Sequence, residues 1–229
     1  VPDSFKKPSQ HFTAQLHPLL NLLEHVRLSN ASTKVLLISS AAVYGDPVKL
    51  PIAENVNLSP LSPYGYHKLH QELLLDQYIN LHELRACKAR IFSTYGAGLR
   101  NLAVWDITKR ALAGDRTLHG TGEESRDYLY VDDVARALVC VAERSSFAGE
   151  AINIASGCET KITDLAETIY RLSGLGGRVK LIPPTTNGHN KNPLRWHADI
   201  TRLRGLGFEP SVSLENGLSA TVEWVKSNA

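Results

Sequence analysis

Residues 34–45 read K-V-L-L-I-S-S-A-A-V-Y-G, and residues 62–68, after a loop with three prolines, read S-P-Y-G-Y-H-K. The first seven residues are a short, mostly apolar run, which is typical of a strand buried on both faces of a parallel sheet. Ser62 followed by Pro63 is a typical helix start, with an N-cap and a proline at the first helical position. The stretch therefore predicts a strand that ends at Ser40 and a helix to about Glu83, with Tyr64 in its first turn.

Strands and helices alternate along the rest of the chain. Residues 9–29 have apolar side chains at helical spacing, with Ser9 as the expected N-cap and a break or kink expected at Pro18. Further strands are predicted at 87–93, 116–119, 127–131, 151–155 and 179–182, and further helices at 102–113, 134–143 (capped by Asp132), 163–173, 199–206 and 214–227. Such alternation predicts an α/β fold with a mainly parallel sheet. Ligands of such sheets bind beyond the carboxyl ends of the strands, where Ser40, residues 93–95 and Ser156 fall.

The composition excludes several classes of protein. The chain is 43% hydrophobic and 21% charged, and its formal net charge is +2 with both signs spread along it, so we expect no nucleic-acid partner. No apolar run is long enough for a membrane span, and no signal peptide is recognisable. The cysteines, Cys87, Cys140 and Cys158, have no metal-ligand spacing. We therefore expect a cytoplasmic protein without a metal or a membrane partner.

Seven segments carry a family resemblance. They are S-S-A-A-V-Y-G (39–45), L-P-I-A-E (50–54), S-P-Y-G-Y-H-K (62–68), R-I-F-S-T-Y-G (90–96), R-D-Y-L-Y-V-D-D-V-A (126–135), N-I-A-S-G (153–157) and L-G-F-E-P (206–210). In this order and spacing they resemble the extended short-chain dehydrogenase/reductases, specifically the NAD-dependent nucleotide-sugar epimerase and dehydratase group. A tyrosine with a lysine four residues later would be weak evidence alone. The resemblance covers essentially the whole chain.

The resemblance implies an architecture of two parts. The first is a Rossmann-like doubly wound parallel sheet that binds NAD, expected at 1–97 and 128–157. The second is a smaller α/β domain for the nucleotide sugar, expected at 98–127 and 158–229. The family's glycine-rich phosphate loop, G-x-x-G-x-x-G, is not found before any helix here. Because the family carries that loop and the first strands upstream, we expect the natural protein to have an N-terminal segment that these residues lack.

The resemblance also assigns the catalytic group to Ser40, Tyr64 and Lys68. A phenol is a poor base at neutral pH because its ordinary pKa is about 10. A lysine ammonium, the positive nicotinamide of NAD and a helix N-terminus all favour the phenolate. Tyr64 would take the proton of a sugar hydroxyl as hydride leaves the same carbon, and Ser40 would help to relay it. The alternative is a strand-end serine and a helix-face pair that only stabilise the fold.

Residues 41 and 42 bear on the reaction. Relatives that are sugar 4,6-dehydratases have Asp-Glu at this pair, and these carboxyl groups eliminate water. Ala41 and Ala42 cannot act as acid or base. An epimerase, which requires only reversible hydride transfer, is therefore favoured.

The resemblance implies further ligand contacts. Those expected for the cofactor are Ser39, Tyr64, Lys68 and Phe92, and those for the substrate are Ser93, Asn101, Leu102, Leu118, His119 and Arg126. Arg126 would bind the diphosphate through its guanidinium fork, although an ion pair with Asp127 or Glu124 is an alternative. Residues 101–102 and 118–119 are equally compatible with ordinary loop and core roles. We expect His67 to be an exposed bystander, and Asn153 and Ser156 to be structural.

Three hypotheses follow. The first is an NAD-dependent epimerase that acts at C4 of a UDP-sugar by transient oxidation to a keto-sugar. The second is a nucleotide-sugar reductase or dehydrogenase of the same fold, and the third is a non-catalytic sugar-nucleotide-binding protein. Segment 187–193 lacks the Arg and Asp that relatives often have there, so the sequence does not identify the nucleotide of the substrate. The resemblance further implies a homodimer formed by the Tyr64 helix, and a role in the synthesis of polysaccharide precursors.

Overall fold

The computed structural model describes residues 2–30, 32–183 and 193–228. Most of the predicted loop at 183–192, and of the segment at 187–193, lies outside the described residues. The helices are α1 (Pro2–Lys6), α2 (Pro8–Ser29), α3 (Pro63–His82), α4 (Leu102–Leu112), α5 (Val131–Arg144), α6 (Ile162–Leu172), α7 (Thr201–Gly205) and α8 (Leu214–Asn228). The strands are β1 (Val35–Ser40), β2 (Ala86–Ile91), β3 (Ser93–Tyr95), β4 (Thr117–His119), β5 (Ser125–Tyr130), β6 (Ala148–Ile154), β7 (Glu159–Lys161) and β8 (Lys180–Ile182).

The first sheet is parallel and has helices on both faces. Its strand order is β1-β2-β6, and β1 pairs with β2 from Val35 opposite Ala86 to Ser40 opposite Ile91. Apolar side chains of α2 and α3 pack with β1 in one core cluster. Side chains of α5 and α7 pack with β2 and β6 in another. This arrangement confirms the predicted α/β fold with a doubly wound parallel sheet.

The second layer of structure surrounds two small sheets. One has the order β3-β5-β7, with β7 antiparallel to β5, and the other is the parallel pair β4-β8. Side chains of α4, α6 and α8 form a core cluster there, which includes the fully buried Leu165, Ile169 and Leu218. Among the described helices, none is long and apolar enough to cross a membrane.

Several sequence predictions about local structure are wrong. Helix α2 is continuous through Pro18, and it begins at Pro8 without a side-chain cap from Ser9. The predicted strand 87–93 is divided between β2 and β3. Asp132 lies inside α5, where it does not cap the helix. In the part of the chain that the structure describes, strand β1 is not buried on both faces, because Ile38 is 42% exposed.

Candidate active site

The start of α3 is held tightly against the end of β1. The Ser62 hydroxyl accepts a hydrogen bond from the Gly65 amide at 3.1 Å, as an N-cap does, and Pro63 follows it. A Cβ atom on Gly65 would lie 2.6 Å from the Ala42 carbonyl oxygen. Glycine is therefore required for this close approach, which brings Tyr64 to the turn that follows Ser40.

Ser40 ends β1 and caps a short 3-10 turn over Ala41–Val43. Its hydroxyl oxygen accepts a hydrogen bond from the Ala42 amide at 3.2 Å, and its own proton is left to donate. The side chain is half-buried. Ser40 therefore stands at the carboxyl end of a parallel strand, where the sequence places it and where α/β proteins bind ligands.

Tyr64 and Lys68 lie one turn apart on α3, so they share a face of the helix. The Lys68 amine donates a hydrogen bond to the Ile38 carbonyl oxygen at 2.9 Å, which brings it to the same strand as Ser40. Burial lowers the pKa of Lys68, and the nearby Glu72 carboxylate opposes that shift. Within the described residues the Tyr64 hydroxyl has no hydrogen-bond partner, and the side chain is half-buried. The structure thus places Ser40 and Lys68 at the end of β1, and it places the residue after Tyr64 against the turn that follows Ser40.

Ser39, predicted as a cofactor contact, faces away from this strand end. It is 3% exposed, and its hydroxyl donates a hydrogen bond of 2.5 Å to Glu72 on α3. Phe92, the other predicted cofactor contact, follows β2 and is 6% exposed. Its ring packs edge-on against Trp196, with centroids 6.0 Å apart. Both side chains therefore have partners within the protein: the Ser39 hydroxyl binds Glu72, and the Phe92 ring packs against Trp196.

His67 is buried, contrary to the prediction that it is exposed. It is 7% exposed and lies against His11 of α2, with 2.7 Å between the two Nδ1 atoms. Burial lowers the pKa of His67, and His11 and His70 lower it further. The ring of His11 also lies edge-on to Tyr64, with centroids 5.9 Å apart. These contacts are made by α2, so the sequence of α3 alone gave no sign of them.

Arg126 lies beside a tryptophan that sequence analysis did not identify. Its guanidinium lies 5.3 Å from the centroid of the Trp196 ring, and Nη1 donates to the carbonyl oxygens of Ser125 and Leu194. The Trp196 indole donates to the Gly45 carbonyl oxygen at 2.9 Å, at the end of the S-S-A-A-V-Y-G segment. The Trp196 side chain thus contacts both Arg126 and the segment that follows β1.

The guanidinium of Arg126 has no carboxylate partner among the described residues, so the alternative ion pair with Asp127 or Glu124 does not form. Burial lowers the pKa of Arg126, and more distant charges such as Glu124 only partly oppose this. A half-buried cation without a counterion is suited to an anionic ligand.

Asp127 fixes the segments around Arg126. Its carboxylate accepts hydrogen bonds from the amides of Ser156, Gly157 and Ala198 and from the Ser156 hydroxyl, at 2.7 to 3.2 Å. It is fully buried, and burial raises its pKa although these donors oppose the shift. Ser156 is therefore structural, as expected, and so is Asn153, whose side chain bonds the backbone of Ile52 and Asp199.

The remaining predicted substrate contacts lie on the second core. Ser93 opens β3 and pairs with Tyr128 of β5, and Asn101 precedes α4 without a capping bond from its side chain. Leu102 is 59% exposed and has a φ of 69°, a strained conformation for a leucine that is often found at binding sites. Leu118 is 9% exposed, and His119, at the end of β4, is exposed.

The fold and this site define an α/β protein with Ser40 and Lys68 at the end of a parallel strand and with Tyr64 in the first turn of the adjacent helix. The model of the NAD dependent epimerase/dehydratase family matches residues 1–155, and the chain belongs to that family. It is an enzyme of the extended short-chain dehydrogenase/reductase type, which confirms the predicted family, fold class and NAD cofactor.

Similar proteins include the UDP-glucose 4-epimerase of Mycolicibacterium smegmatis, which is 30% identical over all of this chain and 74% of its own length. A crystal structure of the Thermotoga maritima UDP-glucose 4-epimerase with UDP-glucose is 29% identical, with a TM-score of 0.87 over 99% of this chain and 74% of that one. The UDP-glucuronic acid 4-epimerase of Bacillus cereus, solved with UDP-glucuronic acid and NAD, is 28% identical, with a TM-score of 0.84 over 93% of this chain and 67% of that one.

Proposed function

We propose that the chain is an NAD-dependent epimerase that inverts C4 of a UDP-sugar through a keto-sugar. The observation that carries this proposal is that Lys68 binds the Ile38 carbonyl of β1, whose last residue is Ser40, while Gly65, the residue after Tyr64, packs against the turn that follows Ser40. The relatives described above act on UDP-sugars according to their names. The chemistry of the residues also supports the proposal, because Ser40, Tyr64 and Lys68 can accept and return the proton that the oxidation of a sugar hydroxyl releases.

The residues present suit the nicotinamide end of NAD. Among the described residues the Lys68 amine donates to one carbonyl oxygen, and its two further protons can donate to ribose hydroxyls. Tyr64 is half-buried and lies one helical turn before Lys68 on the same face of α3. When bound, NAD supplies the hydride acceptor for the sugar carbon and later returns the hydride.

The chain's own residues would move the proton. The Tyr64 oxygen accepts the proton of the sugar hydroxyl while Ser40 hydrogen-bonds the same hydroxyl. The Lys68 ammonium and the N-terminus of α3 stabilise the negative charge on the phenolate. In the second half-reaction Tyr64 returns the proton to the new alcohol. Ala41 and Ala42, in the 3-10 turn beside Ser40, provide no carboxyl group for the elimination of water.

Arg126 would hold the diphosphate of the substrate. Its uncompensated charge and its stacking on Trp196 support this role. We further propose that Ser93, the segment 101–102 and the segment 118–119 contact the nucleotide sugar, and that Phe92 packs near the cofactor. The strained backbone of Leu102 supports the second of these contacts.

We also propose the domain division given above and a homodimer. A separate core formed by α4, α6 and α8 supports the division. One face of α3 carries three exposed apolar side chains, which supports an interface there. They are Tyr66, Leu73 and Leu81, which are 49 to 69% exposed. Light scattering during gel filtration tests the dimer.

A place in the cytoplasmic synthesis of polysaccharide precursors would fit a nucleotide-sugar substrate.

Incubation with UDP-glucose and NAD tests the proposed reaction. We expect UDP-galactose to form without a lasting absorbance at 340 nm, whereas a reductase or dehydrogenase would show net turnover of the nicotinamide. Tyr64→Phe should abolish turnover, and Tyr66→Phe is the matched control because it removes a hydroxyl two residues later on the same helix while keeping the apolar ring that the proposed interface uses. Undiminished turnover by Tyr64→Phe refutes the mechanism. Nucleotide binding without turnover by the unaltered protein would favour the binding-protein alternative.

A further inference from the structure

A buried ion pair joins the helix of Tyr64 to the sheet. Arg90 of β2 donates to both carboxylate oxygens of Glu72 on α3, at 3.0 Å from Nε and 2.7 Å from Nη2. The two side chains are only 6% and 2% exposed. Glu72 lies two turns after Tyr64 and one turn after Lys68, so all three share one face of the helix.

The pair belongs to a larger network of buried polar groups. Ser39 donates to the same carboxylate, and Nη1 of Arg90 donates to the Tyr44 hydroxyl at 3.0 Å and the Glu54 carbonyl oxygen at 2.9 Å. The Tyr44 hydroxyl donates in turn to Asn153 on β6 at 2.6 Å. The network therefore connects α3 with both sides of Ser40, through the residue before it and the loop after it.

Stability alone does not explain this pair. Buried ion pairs are often replaced by apolar residues with little or no loss of stability, because removing two charges from water is unfavourable. A second ion pair, Lys88 with Asp76, already joins β2 to α3 one turn further along the helix. The ion pair between Glu72 and Arg90 differs from it in two ways. Its contact is bidentate and therefore directional, and it lies closer along α3 to Lys68 and Tyr64.

We propose that Glu72 and Arg90 are positioning residues, which fix the depth and rotation of α3 so that Tyr64 and Lys68 face Ser40. This inference rests on the proposed function in naming those residues as catalytic. Glu72 acts through Lys68 and Tyr64 and does not itself touch the reacting atoms. A salt bridge that only stabilised the fold would not have to lie on the face that carries them.

The charge of Glu72 supports the same role. Burial lowers the pKa of Lys68, and Glu72 is the carboxylate that opposes this shift. Glu72 therefore helps to keep Lys68 protonated, which is the form that stabilises a phenolate. The Lys88–Asp76 pair, one turn further from Lys68, offers a matched comparison.

The test compares Glu72→Gln with Asp76→Asn. Each change removes one carboxylate charge from an ion pair between α3 and β2. For Glu72→Gln we expect kcat to fall by about 10- to 100-fold, because a displacement of about 1 Å costs on the order of 100-fold. The KM for UDP-glucose should change by less than about threefold, since the substrate contacts remain. Asp76→Asn should keep both constants.

A second readout does not require turnover. The pH dependence of Lys68 acetylation, followed by mass spectrometry of its peptide, reports the protonation of its amine. Its midpoint should shift to lower pH in Glu72→Gln and stay unchanged in Asp76→Asn. If the unaltered protein shows no epimerase activity, the proposed function fails while this measurement still decides whether Glu72 acts on Lys68.

If Glu72→Gln does not fold, the double change Glu72→Met with Arg90→Met removes both charges together. A folded variant of either kind with the kcat and the acetylation midpoint of the unaltered protein overturns the inference. A loss of kcat of the same size in Asp76→Asn also overturns it, because the effect would then belong to any ion pair between α3 and β2.

Discussion

Replacement of Gly65 by alanine tests whether the start of α3 is held in place by close packing. In an ordinary helix this change stabilises by up to about 1 kcal/mol, since glycine is a poor helix former. Here the new Cβ would lie 2.6 Å from the Ala42 carbonyl oxygen and 3.0 Å from Pro60 Cβ, well inside the 3.4 Å of ordinary contact. Overpacking of this kind costs about 1–3 kcal/mol, so after the gain in helix propensity we expect a net loss of up to about 2 kcal/mol.

The clash is with backbone, so the first turn of α3 must move away from the turn after Ser40. That movement separates Tyr64 from Ser40, and we expect kcat to fall by at least about 10-fold. Urea unfolding measures the first effect and turnover of UDP-glucose the second.

Gly205→Ala is the control for helix propensity. A Cβ on Gly205, in α7, would meet nothing within 4 Å, and the backbone does not require glycine. We expect this variant to be as stable as the unaltered protein or slightly more stable. If Gly65→Ala behaves in the same way and keeps its kcat, the close approach of α3 to the end of β1 does not position Tyr64.

Three further predictions concern the site and its surroundings. Arg126→Lys should raise the KM for UDP-glucose by about 10-fold or more, because lysine keeps the charge but loses the bidentate fork; similar KM values would refute the diphosphate role. Hydrogen bonds from Arg195 and Ser125 lower the pKa of Glu159 to about 2, so its contribution to stability is present above pH 4.5 and is lost as the pH falls toward 2. Glu159→Gln should therefore flatten the acid loss of stability in urea unfolding at stepped pH, and an unchanged profile would contradict this. Ser40→Ala should mainly lower kcat, whereas Ser39→Ala should mainly lower the free energy of unfolding, by about 1–3 kcal/mol; the reverse pattern would favour Ser39 as the ligand contact.

Features with local causes could be predicted from the sequence. Ser62 and Pro63 predict the start of α3 because an N-cap and an N1 proline act on adjacent backbone, and the structure confirms both. The apolar run at 34–40 predicts the existence of β1, because strand formation is encoded in consecutive residues, but it does not predict which side chains of β1 are buried.

Features that depend on packing against residues far away in the sequence could not be predicted from the sequence. Pro18 predicts a break, but α2 buries Leu16, Leu19 and Leu23, and this packing keeps the helix continuous. His67 is buried because α2 covers it, which no pattern within α3 shows. Trp196 is far from Arg126 in sequence, so their stacking becomes visible only when the fold is known.

The two serines at the end of β1 show how one strand serves both structure and chemistry. Successive side chains of a strand point to opposite faces, so Ser39 points toward Glu72 on α3 and Ser40 reaches the strand end. A slip of one residue would exchange the two hydroxyls. Ser39 lies opposite Arg90 in the pairing of β1 with β2, and both side chains bind the same carboxylate. The buried network therefore specifies the register of β1, and the register decides which hydroxyl stands beside Tyr64.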